Sequence, residues 1–168
     1  MAKFSLKRLV LSGLFAALTS VATLISVPLP FGYANLGDLF VILCGVILGP
    51  VYGSLAAGIG AALIDIYWGI YAHYAPATFI IKGLMAVIVW LFVQNYTKKF
   101  ITLRFVVGSF LAELVMISGY LVFELFYYQE GAFASIPGNT IQATVCFVAA
   151  IVVFVVFRKT KLLDKLRK

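Results

Sequence analysis

Residues 35–50 read NLGDLFVILCGVILGP, a carboxylate at Asp38 opening an unbroken apolar run that stops at Gly49-Pro50. The run is too apolar for an amphipathic surface helix and too long for one strand, so its setting is either a buried core or a bilayer. Composition decides. The chain has 168 residues, 64% of them hydrophobic and only 11% charged, with a mean hydropathy of +1.10. A soluble globule of that length cannot bury so much apolar surface, which makes the chain an integral membrane protein.

A bilayer core takes roughly 20 apolar residues as a helix. On that ruler the sequence divides into six segments, at 8–27, 35–49, 51–71, 76–95, 104–127 and 138–157. The breaks at Pro28 and Pro30, Gly49-Pro50, His73 to Pro76, Asn95 to Lys99 and Gln129 to Pro137 carry the residues of turns and connectors. Outer-membrane strands would alternate apolar and polar residues in runs of about ten, and these segments are apolar on every face. The expected fold is an all-α integral membrane protein, one domain of six transmembrane helices. The N-terminal run LVLSGLFAALTSVATLISV follows Lys3, Lys7 and Arg8 as in a signal peptide. It exceeds a signal core in length and lacks a small-x-small cleavage site before Pro28, so it reads as a retained first helix.

The net charge of +7 invites a nucleic-acid reading, but the basic residues sit in clumps between apolar runs. Of the 13, Lys3, Lys7 and Arg8 precede segment one, Lys98, Lys99 and Arg104 lie between segments four and five, and Arg158, Lys159, Lys161, Lys165, Arg167 and Lys168 follow segment six. Six spans place all three clusters on one side, and the positive-inside rule makes it the cytoplasm. Both termini are expected there, with no nucleic-acid partner.

Lys82 alone stands outside those clusters, within segment four. Asp38, Asp65, Glu113, Glu124 and Glu130 are likewise outside the cytoplasmic ends. An ionisable group at mid-bilayer costs on the order of 3 kcal/mol, so each is expected to face the bundle interior. Lys82 comes to lie roughly 9 Å below the outer surface at 1.5 Å per residue. Glu124 and Tyr120, then Asn139 and Gln142, fall in the outer thirds of segments five and six. Glu113, Ile117, Tyr120 and Glu124 form one helical stripe, Asn139, Gln142 and Cys146 another, and Thr78 sits one turn above Lys82. A pocket between segments four, five and six, open outward and ringed by aromatics such as Tyr74, satisfies all three stripes.

Each residue has a structural alternative. Lys82 either contacts a ligand or pairs with Glu113 or Glu124; Glu113, deeper, reads as its structural partner. Asn139 and Gln142 suit hydrogen bonding to ring nitrogens or hydroxyls, or interhelical contacts. His73, the lone histidine, is a solvated loop residue or a lid contact, and no metal site is expected. Cys44 and Cys146 have no ligand-spaced partner and read as packing residues. Asn35 is placed as the cap of a short second helix with Asp38 in its first turn. From Asn35 to Leu48 that helix spans only about 21 Å, against about 30 Å of hydrocarbon, so loop 28–34 must dip inward as a lid. Ser12, Ala16 and Ser20, beside Gly13 and Ala17, make a small-residue face for internal packing or for docking a membrane subunit.

NLGDLFVILCGVILGPVYGSLAAGIGAALIDI (35–66), YAPATFIIKGLMAVIVW (74–90) and PGNTIQ (137–142) together resemble the substrate-binding S components of energy-coupling factor (ECF) vitamin transporters, in the riboflavin, pyridoxine and hydroxymethylpyrimidine group. The GD…GP…G and AP-x4-IKG blocks carry the resemblance. It implies a multi-pass protein of the cell membrane that captures a small-molecule vitamin outside the cell, held by helices 4 to 6 and the 1/2 and 3/4 loops. It also implies a transmembrane coupling subunit (EcfT-like), met by the small residues of helix 1 (Ser12, Gly13, Ala16, Ala17 and Ser20), and two cytoplasmic ATPase subunits. No cofactor is implied. No G-x4-G-K-[ST] loop occurs, so ATP hydrolysis belongs to those partners. The hydrogen-bonding set points to a small hydroxymethyl-bearing ring, a vitamin B6 form such as pyridoxine or hydroxymethylpyrimidine, with riboflavin and pantothenate as alternatives. A small intramembrane enzyme lacks an acid-base pair or metal set, and a channel subunit would need a polar stripe through the full depth.

Overall fold

The computed structural model describes residues 6–28, 33–95 and 100–167. Its elements are α1 (Leu6–Leu24), the strands β1 (Ser26–Pro28) and β2 (Tyr33–Asn35), α2 (Gly37–Tyr67), α3 (Ala75–Val93), α4 (Ile101–Tyr128), α5 (Ile136–Lys159) and a terminal α6 (Leu162–Arg167). Short 3-10 turns at Ala72–Tyr74 and Gln129–Ser135 lead into α3 and α5. Among the described residues, four stretches are long and apolar enough to cross a membrane: Leu6–Leu24, Gly37–Tyr67, Ala72–Val93 and Ile101–Lys159. Helices are what such sequences must form, since every backbone donor and acceptor then finds its partner within the segment.

Two of the four stretches fold back on themselves. Within α2 the helix breaks at Gly49, whose φ of 84° and ψ of −170° lie outside the range open to residues with a side chain, and Pro50 starts a new helix after it. The halves pack as a hairpin: a Cβ on Gly53 would lie 2.5 Å from the carbonyl oxygen of Cys44, a contact that nine residues of continuous helix could never make. The stretch Ile101–Lys159 is α4 and α5 joined by the Gln129–Ser135 turn. The result is a bundle of six rods.

Small residues set the helix spacing, as they must where lipid supplies no hydrophobic drive between helices. Gly45 lies against the carbonyl of Ala86, bringing the first half of α2 onto α3, and Gly60 lies against the carbonyl of Ala16, bringing the second half onto α1. Larger side chains fill what remains: Val41, Ile42, Met85, Val89 and Met116 are buried at the centre. Phe105 and Phe154 stack with ring centroids 3.9 Å apart between α4 and α5. The outer faces show lipid-compatible residues such as Leu63, Ile80, Leu84, Val148 and Val152.

Both described chain ends meet at one end of the bundle. Leu163 of α6 is fully buried, Arg167 donates to the carbonyl of Val93 at 3.1 Å, and Lys7 donates to the carbonyl of Lys165 at 3.1 Å. The sequence reading had no counterpart to α6, because an apolar pair inside a basic tail looks like a topology signal. It also had no strands. Segment one ends at Leu24 rather than 27 because residues 26–28 pair antiparallel with 33–35, Ser26 opposite Asn35. Residues 29–32, the middle of the expected lid loop, lie outside the described residues, as do Lys3, Lys98, Lys99 and Lys168.

Candidate functional site

At the end of the bundle opposite the termini a cavity of about 490 Å³ opens between α2, α3, α4, α5, the last residue of β2 and the Gln129–Ser135 turn. That size lies within the roughly 300–1,000 Å³ of small-molecule sites.

Its floor is a chain of hydrogen bonds across four elements. The Lys82 ammonium of α3 pairs with Oδ1 of Asp38 in α2, and both side chains are buried. The other Asp38 oxygen accepts from Nε2 of Gln142 in α5. Oε1 of Gln142 in turn accepts from the backbone N–H of Asn35, at 3.0 Å, and from its Nδ2, at 3.1 Å. The expected cap requires correction: Leu36, not Asn35, holds the N-cap position of α2, and Asn35 Oδ1 instead accepts from the N–H of Gly37 at 2.8 Å in an Asx-type turn just before the helix. Every member is therefore partnered, the condition for a buried polar network to hold one geometry. The hairpin β1–β2 is fastened to the floor through Asn35.

Above the floor the walls are aromatic. Lys82 Nζ sits 5.2 Å from the centre of the Tyr120 ring, a cation–π distance, and the Tyr120 hydroxyl donates to Thr78 Oγ1 at 3.1 Å. At the rim Glu124 accepts from the Tyr74 hydroxyl at 3.2 Å and from the Ser135 hydroxyl. His73 Nε2 and the Tyr128 hydroxyl lie 3.2 Å apart. Tyr74, Phe123 and Tyr127 follow one another at ring-centre distances of 4.9 and 4.8 Å, a continuous aromatic band beside the opening.

Among the residues expected from sequence, Asn139, Gln142, Lys82, Glu124, Tyr120, Thr78, Tyr74 and Asn35 line the cavity. His73 stands outside it, at the rim beside Tyr128. Asp38 lies behind the floor. The expected partners of Lys82 require correction: it pairs with Asp38, not with Glu113 or Glu124. Glu124 is held by Tyr74 and Ser135. Glu113 is buried with neither carboxylate oxygen hydrogen-bonded among the described residues, and the Ser109 hydroxyl one turn below it is in the same condition. The pocket also reaches beyond helices α3 to α5, since Asp65 at the far end of α2 lines it with Tyr71 and Ser135, and Tyr128 at the end of α4 joins them. Asp65 and the tyrosines had signals, as a costly acid and as part of the aromatic belt. Ser135, in a short 3-10 turn, had none.

The small-residue face of α1 divides. Ser20 donates to the carbonyl of Gly60 at 2.7 Å and Ala16 packs on the same glycine, so both are turned into the bundle. Ser12 donates to the Arg8 carbonyl at 2.7 Å, while Gly13 and Ala17 are exposed. Cys44 and Cys146 are buried free thiols, and among the described residues no three His, Cys, Asp or Glu side chains gather as a metal site.

A closed polar floor, aromatic walls and hydrogen-bonding rim groups make a concave site able to hold a small molecule. Residues 3–159 match the family described as ECF-type riboflavin transporter, S component. A protein of Pyrococcus woesei described as "Uncharacterized protein in gap 3'region" is 35% identical over 130 residues, covering 76% of this chain and 84% of that protein. Extending over nearly the whole length, the family match identifies the chain as a member of the ECF-type S components, the substrate-binding membrane subunits of vitamin transporters.

Proposed function

We propose that the chain binds riboflavin on the outer side of the cell membrane and delivers it to an ATP-driven uptake complex. The observation that carries this reading is the cavity itself, about 490 Å³ with an aromatic wall over a polar floor. A fused tricyclic ring stacks on Tyr74 and Tyr120, and its polyol chain takes up hydrogen bonds from Asn139, Gln142 and Thr78. A single-ring vitamin such as pyridoxine or hydroxymethylpyrimidine fills only part of that space, and the family description names riboflavin. Size and family therefore shift the reading from the single-ring vitamins to the flavin.

Six spans with both termini in the cytoplasm accord with the basic residues gathered at the end away from the cavity, Lys7, Arg8, Arg104, Arg158, Lys159, Lys161, Lys165 and Arg167. The coupling subunit then docks on exposed small residues of α1, Gly13 and Ala17, and two ATPase subunits act below it. Titrating the detergent-purified protein with riboflavin while following flavin fluorescence tests the proposal. Saturable quenching at submicromolar concentration is expected, and no quenching alongside normal thermal unfolding would sink it.

A further inference from the structure

We infer that the site discriminates by charge, accepting neutral or cationic vitamins and rejecting phosphorylated or carboxylate-bearing ones; the inference rests on the vitamin-binding reading above. Among the described residues, Lys82 is the one lysine or arginine lining the cavity, and its ammonium is committed to Asp38. Two further carboxylates, Asp65 and Glu124, line the same cavity. The cavity and its floor thus hold one ammonium and three carboxylates.

Phosphate recognition uses an uncommitted arginine or lysine, or the free N–H groups at a helix start. Neither source is well supplied here. The helices that begin at the cavity, α3 and α5, each carry a proline in the first turn, Pro76 and Pro137, which removes one donor from each start. At the start of α2 the Gly37 N–H is taken by Asn35. The connectors expected on the outer side repeat the pattern in sequence: segments 28–34, 72–75 and 128–137 contain no lysine or arginine, and Glu130 adds a negative charge. Among the described residues, the basic side chains other than Lys82 lie at the other end of the bundle.

A phosphate monoester brings a charge of about −1.5 to −2 at neutral pH. Inside a cavity walled by protein and lipid, that charge meets like charges at low dielectric with no cation free to answer it. Selection of this kind operates by repelling the wrong ligand, leaving the contacts to the neutral one unchanged. The same repulsion acts on pantothenate, whose carboxylate has no partner here. Asp38 is the specificity-determining residue, since it cancels the one positive charge without itself lining the site.

The test compares riboflavin with riboflavin 5′-phosphate on the full-length protein in detergent, at one pH and low salt. The phosphate ester is expected to bind at least about a hundredfold more weakly, a difference of about 2.7 kcal/mol. Asp38→Asn and Glu124→Gln each remove a negative charge, so the ratio of the two dissociation constants is expected to fall about tenfold or more in whichever variant folds. A general loss of fold or packing weakens both ligands alike and leaves the ratio untouched. If neither flavin binds, the pairs pyridoxal and pyridoxal 5′-phosphate, then thiamine and thiamine monophosphate, are compared in the same way. A phosphate ester bound within threefold of its parent in any pair overturns the charge inference and leaves the vitamin-binding reading standing. Binding of none of the six compounds overturns the vitamin-binding reading and the inference with it.

Discussion

Lys82 of α3 and Asp38 of α2 form a buried ion pair 44 residues apart in sequence, and Gln142 of α5 anchors the second Asp38 oxygen. Three helices are thereby fixed to one another at the depth where the cavity ends. Removing one partner of such a pair strands a charge in low dielectric, at a cost of about 3–5 kcal/mol, whereas replacing both with apolar groups of similar volume is often near neutral. Lys82→Met alone is expected to lower the thermal stability of the purified protein sharply, and Asp38→Leu with Lys82→Met to recover most of it. Both proteins are expected to lose ligand binding. A single variant that melts with the wild type would show that the pair contributes nothing to holding the bundle.

Asn139 and Gln142 occupy the same face of α5 but carry different burdens. Gln142 bonds Asp38 and Asn35, while Asn139 lines the cavity higher up. Asn139→Ala is expected to weaken riboflavin binding more than tenfold, about 1.4 kcal/mol or above, with little change in melting temperature. Gln142→Leu is expected to lower both, because the hydrogen bond to the Asp38 carboxylate is worth about 1.5–3 kcal/mol and the Asn35 donors lose their acceptor with it. Titration and thermal unfolding of the two variants side by side distinguish them. Equal loss of stability in both would place Asn139 in the scaffold.

Gly49 turns α2 back on itself with a φ of 84°. Gly49→Ala forces an L residue into a backbone region open essentially to glycine alone, a penalty of about 1–3 kcal/mol. Gly53→Val adds a larger obstruction against the Cys44 carbonyl, where even a Cβ would sit 2.5 Å away. Gly53→Val is therefore expected to destabilise more than Gly49→Ala, read as yield of monodisperse protein and as melting temperature. The reverse order would mean that the hairpin is held by the turn alone and not by the contact of its arms.

The long helices were legible because bilayer thickness fixes their length and lipid forbids unpaired backbone within it, so apolar runs and Gly-Pro breaks translate directly into rods. Their polar stripes gave most of the cavity for the same reason: Lys82, Tyr120, Glu124, Asn139 and Gln142 had no tolerable direction except inward. What the sequence lacked was the neighbour relation between non-consecutive rods. Asp38, in the first turn of α2, reads as a helix-dipole partner until α2 is known to pack on α3, after which it lies beside Lys82. Phase along α4 alone made Glu113 and Glu124 look equally near. The three-residue strands are too short for any periodicity, and α6 buries only Leu163 within a basic tail.

Glu113 offers the sharpest contrast between helical phase and tertiary packing. On phase and depth it should answer Lys82; in the structure it is buried with no hydrogen bond among the described residues, while Lys82 is answered by Asp38. A carboxyl group in that position is a desolvation penalty without a compensating bond, of the order of 1–3 kcal/mol. Glu113→Met keeps similar volume and removes the polar atoms, so melting temperature is expected to hold or rise and riboflavin affinity to stay within about threefold. If Glu113 were instead a partner of Lys82, its removal would be as damaging as Lys82→Met, and the double variant Glu113→Met, Lys82→Met would be no worse than either. Melting curves of Glu113→Met, Lys82→Met and the double variant, measured in one detergent, separate the two arrangements: additive effects support the Asp38 pairing, and strong non-additivity would reassign the lysine to Glu113.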